Sequence, residues 1–253
     1  MNVAAYLERI GYRGETAPVL ETLRAMHRAH AYSVPFENLD ISRGVQIAVD
    51  EQVNFDKIVL RRRGGFCLEL TGTFARVLRE LGFRVDVIGA RVFSEGKLSE
   101  PMSHMTAIVH LDEPWIADVG FGGRIIEPLR LAERGEQVFG DRRYTVANDG
   151  DHWFVTCMEP ATPAMSYTFT MQPRQFDEFE PVCHWLQTSP DSRFTQGDVV
   201  SLATPHGRKT LTGQALIITD GESRTERPVE DASAFETLLR ETFAIDLHAG
   251  RSG

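Results

Sequence analysis

Cysteine is scarce in this sequence. The three present, Cys67, Cys157 and Cys183, are far apart and odd in number. That excludes a disulfide framework, and their spacing fits no zinc ribbon. A reducing cytoplasm is the compartment expected. Long apolar runs are lacking too, and none approaches the roughly 20 residues of a membrane span. Glu8 and Arg9 sit where a signal peptide needs an apolar stretch, so secretion is not expected. Basic residues are in deficit: 27 Lys and Arg face 36 Asp and Glu, and the net charge of −9 argues against a nucleic-acid-binding surface. Low-complexity linkers and clear internal repeats are absent. What remains is a globular composition, 42% apolar and 25% charged, long enough to bury a sizeable core.

The pattern changes along the chain. Residues 1–82 read mostly helical. Leu20, Leu23 and Met26 recur at helical spacing, a second helix runs through EQVNFDKIVL, and a third through LELTGTFARVLREL, closed by Gly82. Between the first two lies 31-AYSVPFENLDISRG-44, read as a loop punctuated by Pro and Gly. Strands begin at residue 83: FRVDVIGARVF alternates, HMTAIVHL and PWIADVGF follow, and RRYTVAND with DHWFVTCME forms a further hairpin. A loop-rich stretch surrounds LQTSPDSRFTQGD. Short strands VVSLATP, RKTLTG and QALIITD come next, then a closing helix with Ser233 as cap, Glu236 completing a capping box, and an apolar stripe of Phe235, Leu238 and Leu239. Helices first, strands in the middle and a helix last make an α+β protein, not a doubly wound sheet.

The stretch 61-RRRGGFCLEL-70 carries the first chemical signal. Gly64 and Gly65 permit a sharp turn, and Cys67 falls at or near the first turn of a helix. A helix N-terminus favours the thiolate, which is the nucleophilic form. Taken alone, such a cysteine is more often a small buried residue. Arg61, Arg62 and Arg63 read as a solvated helix end, or as a positive rim beside a site for an anionic cofactor.

A thiolate needs a proton acceptor, and the acceptor an orienting group. Among eight histidines, His27 and His30 lie on an early helix without an acid and read as surface residues. His110, His152, His184 and His206 have no obvious partner, and His248 lies near the tail. His104 differs, because it opens the strand HMTAIVHL. If that strand pairs antiparallel with PWIADVGF about a turn near Asp112–Pro114, His104 and Asp118 share one end of a hairpin. A helix-start Cys, a strand His and an Asp on the next strand then form a Cys–His–Asp order. A metal site from the same residues lacks recognisable ligand spacing, and none is expected.

At these residues the chain resembles the arylamine N-acetyltransferases. The signature RRGGFCLEL, VPFENLD at 34–40, DVGFGG at 118–123 and LQTSPDSRFT at 186–195 follow the family's order and spacing. The resemblance implies a helical bundle (residues 1–82) carrying the cysteine and a β-barrel-like domain (83–185) carrying His and Asp. An interdomain loop and α/β lid (186–253) follow, around a papain- or transglutaminase-like core. It implies Cys67, His104 and Asp118 as the triad, with ping-pong acyl transfer from acetyl-CoA to an aromatic amine, hydrazine or N-hydroxyarylamine. The resemblance places Phe36, Leu68, Phe121 and Phe194 around the acceptor; the alternative for each is core packing, and for Phe36 the two readings weigh the same. Ser103, Gly122 and Gly123 are candidate contacts to CoA, or ordinary turn residues. Backbone amides after the Gly-Gly turn, including that of Cys67, are candidates for the oxyanion site. The expected partners are thus a CoA thioester and a small-molecule amine, with no metal, nucleic acid or membrane. The sequence says nothing of oligomeric state. An amide synthase closing macrolactams from a carrier-bound chain, and a Cys–His–Asp peptide or isopeptide hydrolase, remain as alternatives.

One position departs from the family pattern: Thr71 stands four residues after the cysteine, where Asn is frequent. On a helix Thr71 shares a face with Cys67, so its hydroxyl is expected either to support the thiol's turn or to bond the carbonyl four residues back.

Overall fold

The computed structural model describes residues 1–94 and 96–248. Its N-terminal part holds helices α1 (Val3–Arg9), α2 (Leu20–Ser33), α3 (Leu39–Ser42), α4 (Glu51–Phe55) and α5 (Cys67–Glu80). Asn2 caps α1 through the Ala5 amide, and Asp50 caps α4 through the amides of Gln52 and Val53. The helix expected over 51–60 is present, with Asp56–Leu60 wound as a π-helix. Helix α2 runs to Ser33, into the stretch read as loop; Phe36–Glu37 then forms strand β1 and α3 adds a single turn.

Helix α5 is the central element. Eleven of its fourteen residues are buried, because it is covered on one side by helices and on the other by sheet. Leu70, Phe74, Val77 and Leu78 recur at helical spacing and pack against Tyr6, Leu23 and Met26 from the helices and Val87, Met105 and Ala107 from the strands. Gly82, at φ +89°, ends the helix as the sequence indicates.

The central sheet is wholly antiparallel. It comprises β2 (Arg84–Ser94), β3 (Lys97–Leu98), β4 (His104–His110), β5 (Pro114–Ala117), β6 (Leu129–Arg130), β7 (Glu136–Phe139), β8 (Arg142–Asp149), β9 (His152–Met158) and β10 (Met165–Arg174). The order is β6-β5-β4-β2-β10-β9-β8-β7, with β3 on β2. Gln137 nearly closes it into a barrel: its amide accepts from Arg130 N at 2.8 Å and donates to Arg130 O at 3.0 Å, bridging the two edge strands. Alternation sorts the strands into two cores. Val85, Val87, Met105, Ala107 and Trp115 face α5, while Ile88, Ala90, Ile108 and Ile116 face the barrel interior with Tyr144, Val155 and Tyr167.

The second sheet, β1-β11-β12-β13-β14, uses β11 (Val199–Thr204), β12 (Gly207–Thr212), β13 (Ala215–Asp220) and β14 (Ser223–Pro228). Its edge strand β1 comes from the N-terminal tract, where Phe36 pairs with Ser201. Helix α7 (Ala232–Phe243) covers this sheet through Phe235, Leu238 and Leu239, the stripe read from sequence. Two expectations are corrected here. Asp231, not Ser233, caps α7, accepting from Ala234 N at 2.8 Å. The loop-rich stretch begins with a helix, α6 (Glu180–Thr188), in which Pro181 takes the first turn. No helix among the described residues is long and apolar enough to cross a membrane.

Candidate active site

Cys67 is the first residue of α5. Glu69, in the same turn, accepts the Phe66 amide at 3.0 Å and so fixes the entry into the helix. The first helical bond is donated by Leu70 to Phe66 O, so the amides of Cys67, Leu68 and Glu69 lie ahead of the ladder. The two glycines do something other than turn the chain. A Cβ on Gly64 would fall 2.0 Å from Pro35 O, and one on Gly65 would fall 2.8 Å from Glu69 Cβ. They let this strand of chain lie against β1, where Glu37 N bonds Gly65 O at 2.9 Å. The left-handed residue is Arg62, at φ +51°.

Beneath this turn lies a buried ion network. Lys57 bonds Asp40 and Glu69, each at 2.8 Å, and Arg63 bonds Glu37 at 2.7 Å and Asp40 at 2.9 Å. Arg63 is therefore neither a solvated helix end nor a cofactor rim; its neighbours Arg61 and Arg62 are the exposed pair. Burial penalises Lys57 as a cation, yet Glu69, Glu37 and Asp40 outweigh it and raise its pKa. Burial likewise opposes ionised Asp40, but Lys57 and Arg63 hold its pKa below the usual range.

His104 opens β4 and Asp118 follows β5. Ala107 pairs with Ala117 and Ile108 with Ile116 about a turn at 111–113. Continuing that register puts Asp118 opposite Thr106, two residues from His104. The two are thus diagonal neighbours on the barrel-facing side, not a directly opposed pair. His104 Nε2 donates to Asp118 Oδ2 at 2.7 Å, and Asp118 Oδ1 accepts Gly120 N at 3.0 Å. Both side chains are almost fully buried. The Cys67 thiol donates to Ser103 O at 3.5 Å, and its sulfur is also close enough to interact with the His104 imidazole. Burial disfavours the imidazolium, but Asp118 and the Cys67 sulfur outweigh it and push the His104 pKa up to about 10. Burial raises Cys183 to about 12 and Cys157 well above the ordinary value.

The remaining sequence candidates fall into two groups. Phe121 packs 5.1 Å from the His104 ring, and Tyr167, which sequence reasoning missed, packs 4.9 Å from it. Phe36 and Phe194 pack together at 6.0 Å, and Phe194 meets Phe66 at 5.8 Å. Phe36 and Phe194 are half-buried, whereas Leu68 is 1% exposed and belongs to the α5 core. Ser103 is buried, its hydroxyl shared with Ser99 at 2.6 Å. Gly122 and Gly123 both have positive φ. A Cβ on Gly122 meets nothing within 4 Å, and one on Gly123 would lie 2.9 Å from Ala203 N.

The histidine reading needs correction. His27 and His30 are fully buried, both flanking Phe74, with Tyr6 Oη bonded to His30 Nδ1 at 2.6 Å. Burial lowers the His27 pKa to about 4, with Asp118 opposing. His110 does have a partner, Asp86 at 2.7 Å, and His206 faces Asp141 at 3.2 Å. No group of three His, Cys, Asp or Glu among the described residues is placed to hold a metal ion.

Comparison with known proteins spans nearly the whole chain. A family model described as N-acetyltransferase matches residues 19–251. The arylamine N-acetyltransferase of Escherichia coli is 33% identical, over 98% of this chain and 90% of that protein. The solved arylamine N-acetyltransferase of M. tuberculosis superposes with a TM-score of 0.90 at 33% identity, covering 97% of this chain and 94% of that one. The Mycobacterium marinum enzyme in complex with CoA gives 0.90 at 31% identity, over 96% and 93%.

Proposed function

Because this chain belongs to the arylamine N-acetyltransferase family, we propose that it moves an acetyl group from acetyl-CoA to an arylamine through a thioester on Cys67. The observation that carries this reading is the buried contact sequence from the α5 start through the His104 ring to Asp118.

Asp118 Oδ2 engages His104 Nε2 and leaves Nδ1 for the sulfur. With its pKa pushed up to about 10, His104 is basic enough to take the Cys67 proton, and in this mechanism the two react as thiolate and imidazolium. The thiolate attacks the acetyl carbonyl, the C–S bond to CoA breaks, and the departing CoA sulfur takes the proton from His104 Nδ1. Cys67 is now acetylated and His104 neutral. The amine nitrogen then attacks the thioester, His104 takes its proton, and the Cys67 thiolate leaves, which restores the ion pair. The first-turn amides of α5 are the oxyanion donors in this reading, since they precede the helical ladder and face the N-terminal end. The half-buried pair Phe36 and Phe194 supplies an apolar wall for an aromatic acceptor. Hydrazines and N-hydroxyarylamines have the same nucleophilic nitrogen or oxygen chemistry and are proposed as further acceptors.

The tracts divide the work accordingly: residues 1–82 supply the nucleophile, 83–185 the base and its orienter, and 186–253 a cover over both. The three free, buried thiols fit a cytoplasmic enzyme.

Incubation with acetyl-CoA without acceptor tests the reading. Intact mass should rise by one acetyl group in the wild type and not in Cys67→Ala. Acetylation mapping to Cys157 or Cys183 would overturn it.

A further inference from the structure

Between the barrel and the second sheet, three arginines converge on one carboxylate. Arg124 Nη1 lies 3.0 Å from Glu159 Oε2, Arg142 Nε 3.1 Å from Oε1, and Arg208 Nη2 3.6 Å from Oε2. The cluster therefore carries three positive charges against one negative. Arg142 is otherwise engaged, donating to the carbonyls of Thr204, Pro205 and Gly207 where the β11–β12 turn meets the barrel. Arg124 reaches Pro163 O. Arg142 thus ties the two sheets together, whereas Arg124 holds its own loop to the end of β9 and the turn that follows.

Arg208 is different. Its contact to Glu159 is the longest of the three, and it shares that oxygen with Arg124. Its side chain is 13% exposed, against 1% for Arg142, so it borders solvent. Its remaining hydrogen bond, at 3.3 Å, goes to Gly122 O, on the loop that begins at Asp118. On that loop Gly120 lies against Cys67, and the Cβ direction of Gly122 is open. Unbalanced cations that are largely buried are costly. Burial and the other two arginines outweigh Glu159 and lower the Arg208 pKa to about 10. Nη1 and Nη2 already face Gly122 O and Glu159, but each carries a second N–H, and a guanidinium can present such N–H groups to a phosphate.

We propose that Arg208, beside the open face of Gly122, binds a phosphate group of the acyl donor. The inference rests on the reading of acetyl-CoA as donor. The Asp118–Gly123 loop then borders both the start of α5, through Gly120, and the charged anchor, through Gly122 O.

The test measures binding of CoA and of pantetheine, which lacks every phosphate, to the wild type and to Arg208→Gln. CoA affinity should fall about tenfold or more, the loss of a charge-assisted bond, and pantetheine affinity should change less than twofold. The dependence of CoA affinity on salt should flatten, and Arg208→Lys should restore part of both. Dephospho-CoA separates the sources: an undiminished loss assigns the diphosphate, and a vanished loss the 3′-phosphate. Equal losses for CoA and pantetheine, or none for CoA, would overturn the proposal. Failure of wild-type Cys67 to take acetyl from acetyl-CoA would instead remove the donor reading itself, so the two outcomes are distinguishable.

Discussion

Gly120 is held against Cys67: a Cβ there would fall 2.9 Å from Cys67 Cα, 3.0 Å from Cys67 O and 2.6 Å from Thr71 Oγ1. Two of those atoms are backbone of the helix that carries the thiol, so they cannot swing aside. Gly120 also donates its amide to Asp118 Oδ1. This glycine therefore couples the Asp118 turn to the helix that begins at Cys67. Gly120→Ala is expected to cost about 1–3 kcal/mol by overpacking and to slow acetylation of Cys67. Thermal melts and single-turnover mass spectrometry measure both; wild-type values for each would show that the loop yields freely.

Thr71 answers differently from either sequence expectation. Its hydroxyl is buried and has no hydrogen-bond partner among the described residues, neither the carbonyl four residues back nor the thiol's turn. A lone buried hydroxyl costs about 1–3 kcal/mol. Thr71→Val keeps the shape and removes that cost, so it should raise the melting temperature and leave the acetylation rate within about twofold of wild type. A lowered melting temperature would mean that the hydroxyl is bonded in solution.

The His104–Asp118 pair has a pH signature. The folded pKa of His104 is about 10, above the roughly 6.5 of an unfolded histidine. The folded state thus binds the extra proton between these values. The pair's stabilisation is complete below about pH 6.5 and is lost as pH rises toward 10. His104→Gln should remove this decline from a plot of melting temperature against pH. The same variant should lose the fast alkylation of Cys67 by iodoacetamide that the wild type is expected to keep at mildly acidic pH. If the two proteins alkylate alike there, the ion pair does not form.

His27 carries the opposite sign. Burial depresses its pKa to about 4, so the unfolded chain takes up the proton first as the solution is acidified. Its contribution is present above about pH 6.5 and is lost as pH falls through 4. His30, lowered well below the ordinary value, acts in the same direction. His27→Phe should make the melting temperature less sensitive to pH between 4 and 6.5. An unaltered profile would assign acid sensitivity elsewhere.

These histidines mark where the sequence stops being legible. That Cys67, His104 and Asp118 come together could be read because each is announced locally: Cys67 by a helix start, His104 by a strand start, Asp118 by the end of the returning strand. The diagonal register could not, since pairing is set by the turn at 111–113 and not by alternation alone. Buried charge was invisible for another reason. Arg63 finds Asp40 and Glu37 from 23 and 26 residues away, and Arg208 meets Glu159 across two sheets. A local window shows such residues as polar, and polar reads as exposed. His27 and His30 suffered the same misreading, because the helix face they occupy is covered by Phe74 of α5.

The network under α5 gives the most stringent expectation. Lys57 is 3% exposed and sits between Glu69 and Asp40, each 2.8 Å away. Glu69 in turn holds the Phe66 amide, one residue before the thiol. Removing the lysine alone leaves two carboxylates without their nearest cation in a dry site, although Arg63 still faces Asp40 at 2.9 Å. Breaking one side of a buried pair in this way costs about 3–5 kcal/mol. Lys57→Met is therefore expected to destabilise by that amount in urea. Glu69→Gln removes one of the stranded charges while its amide oxygen can still accept from Phe66 N. The double variant Lys57→Met with Glu69→Gln should then be more stable than Lys57→Met alone, and the two single effects should fail to add. If they add, Lys57 and Glu69 do not act as a pair, and the helix start of Cys67 is held by its backbone and glycines instead.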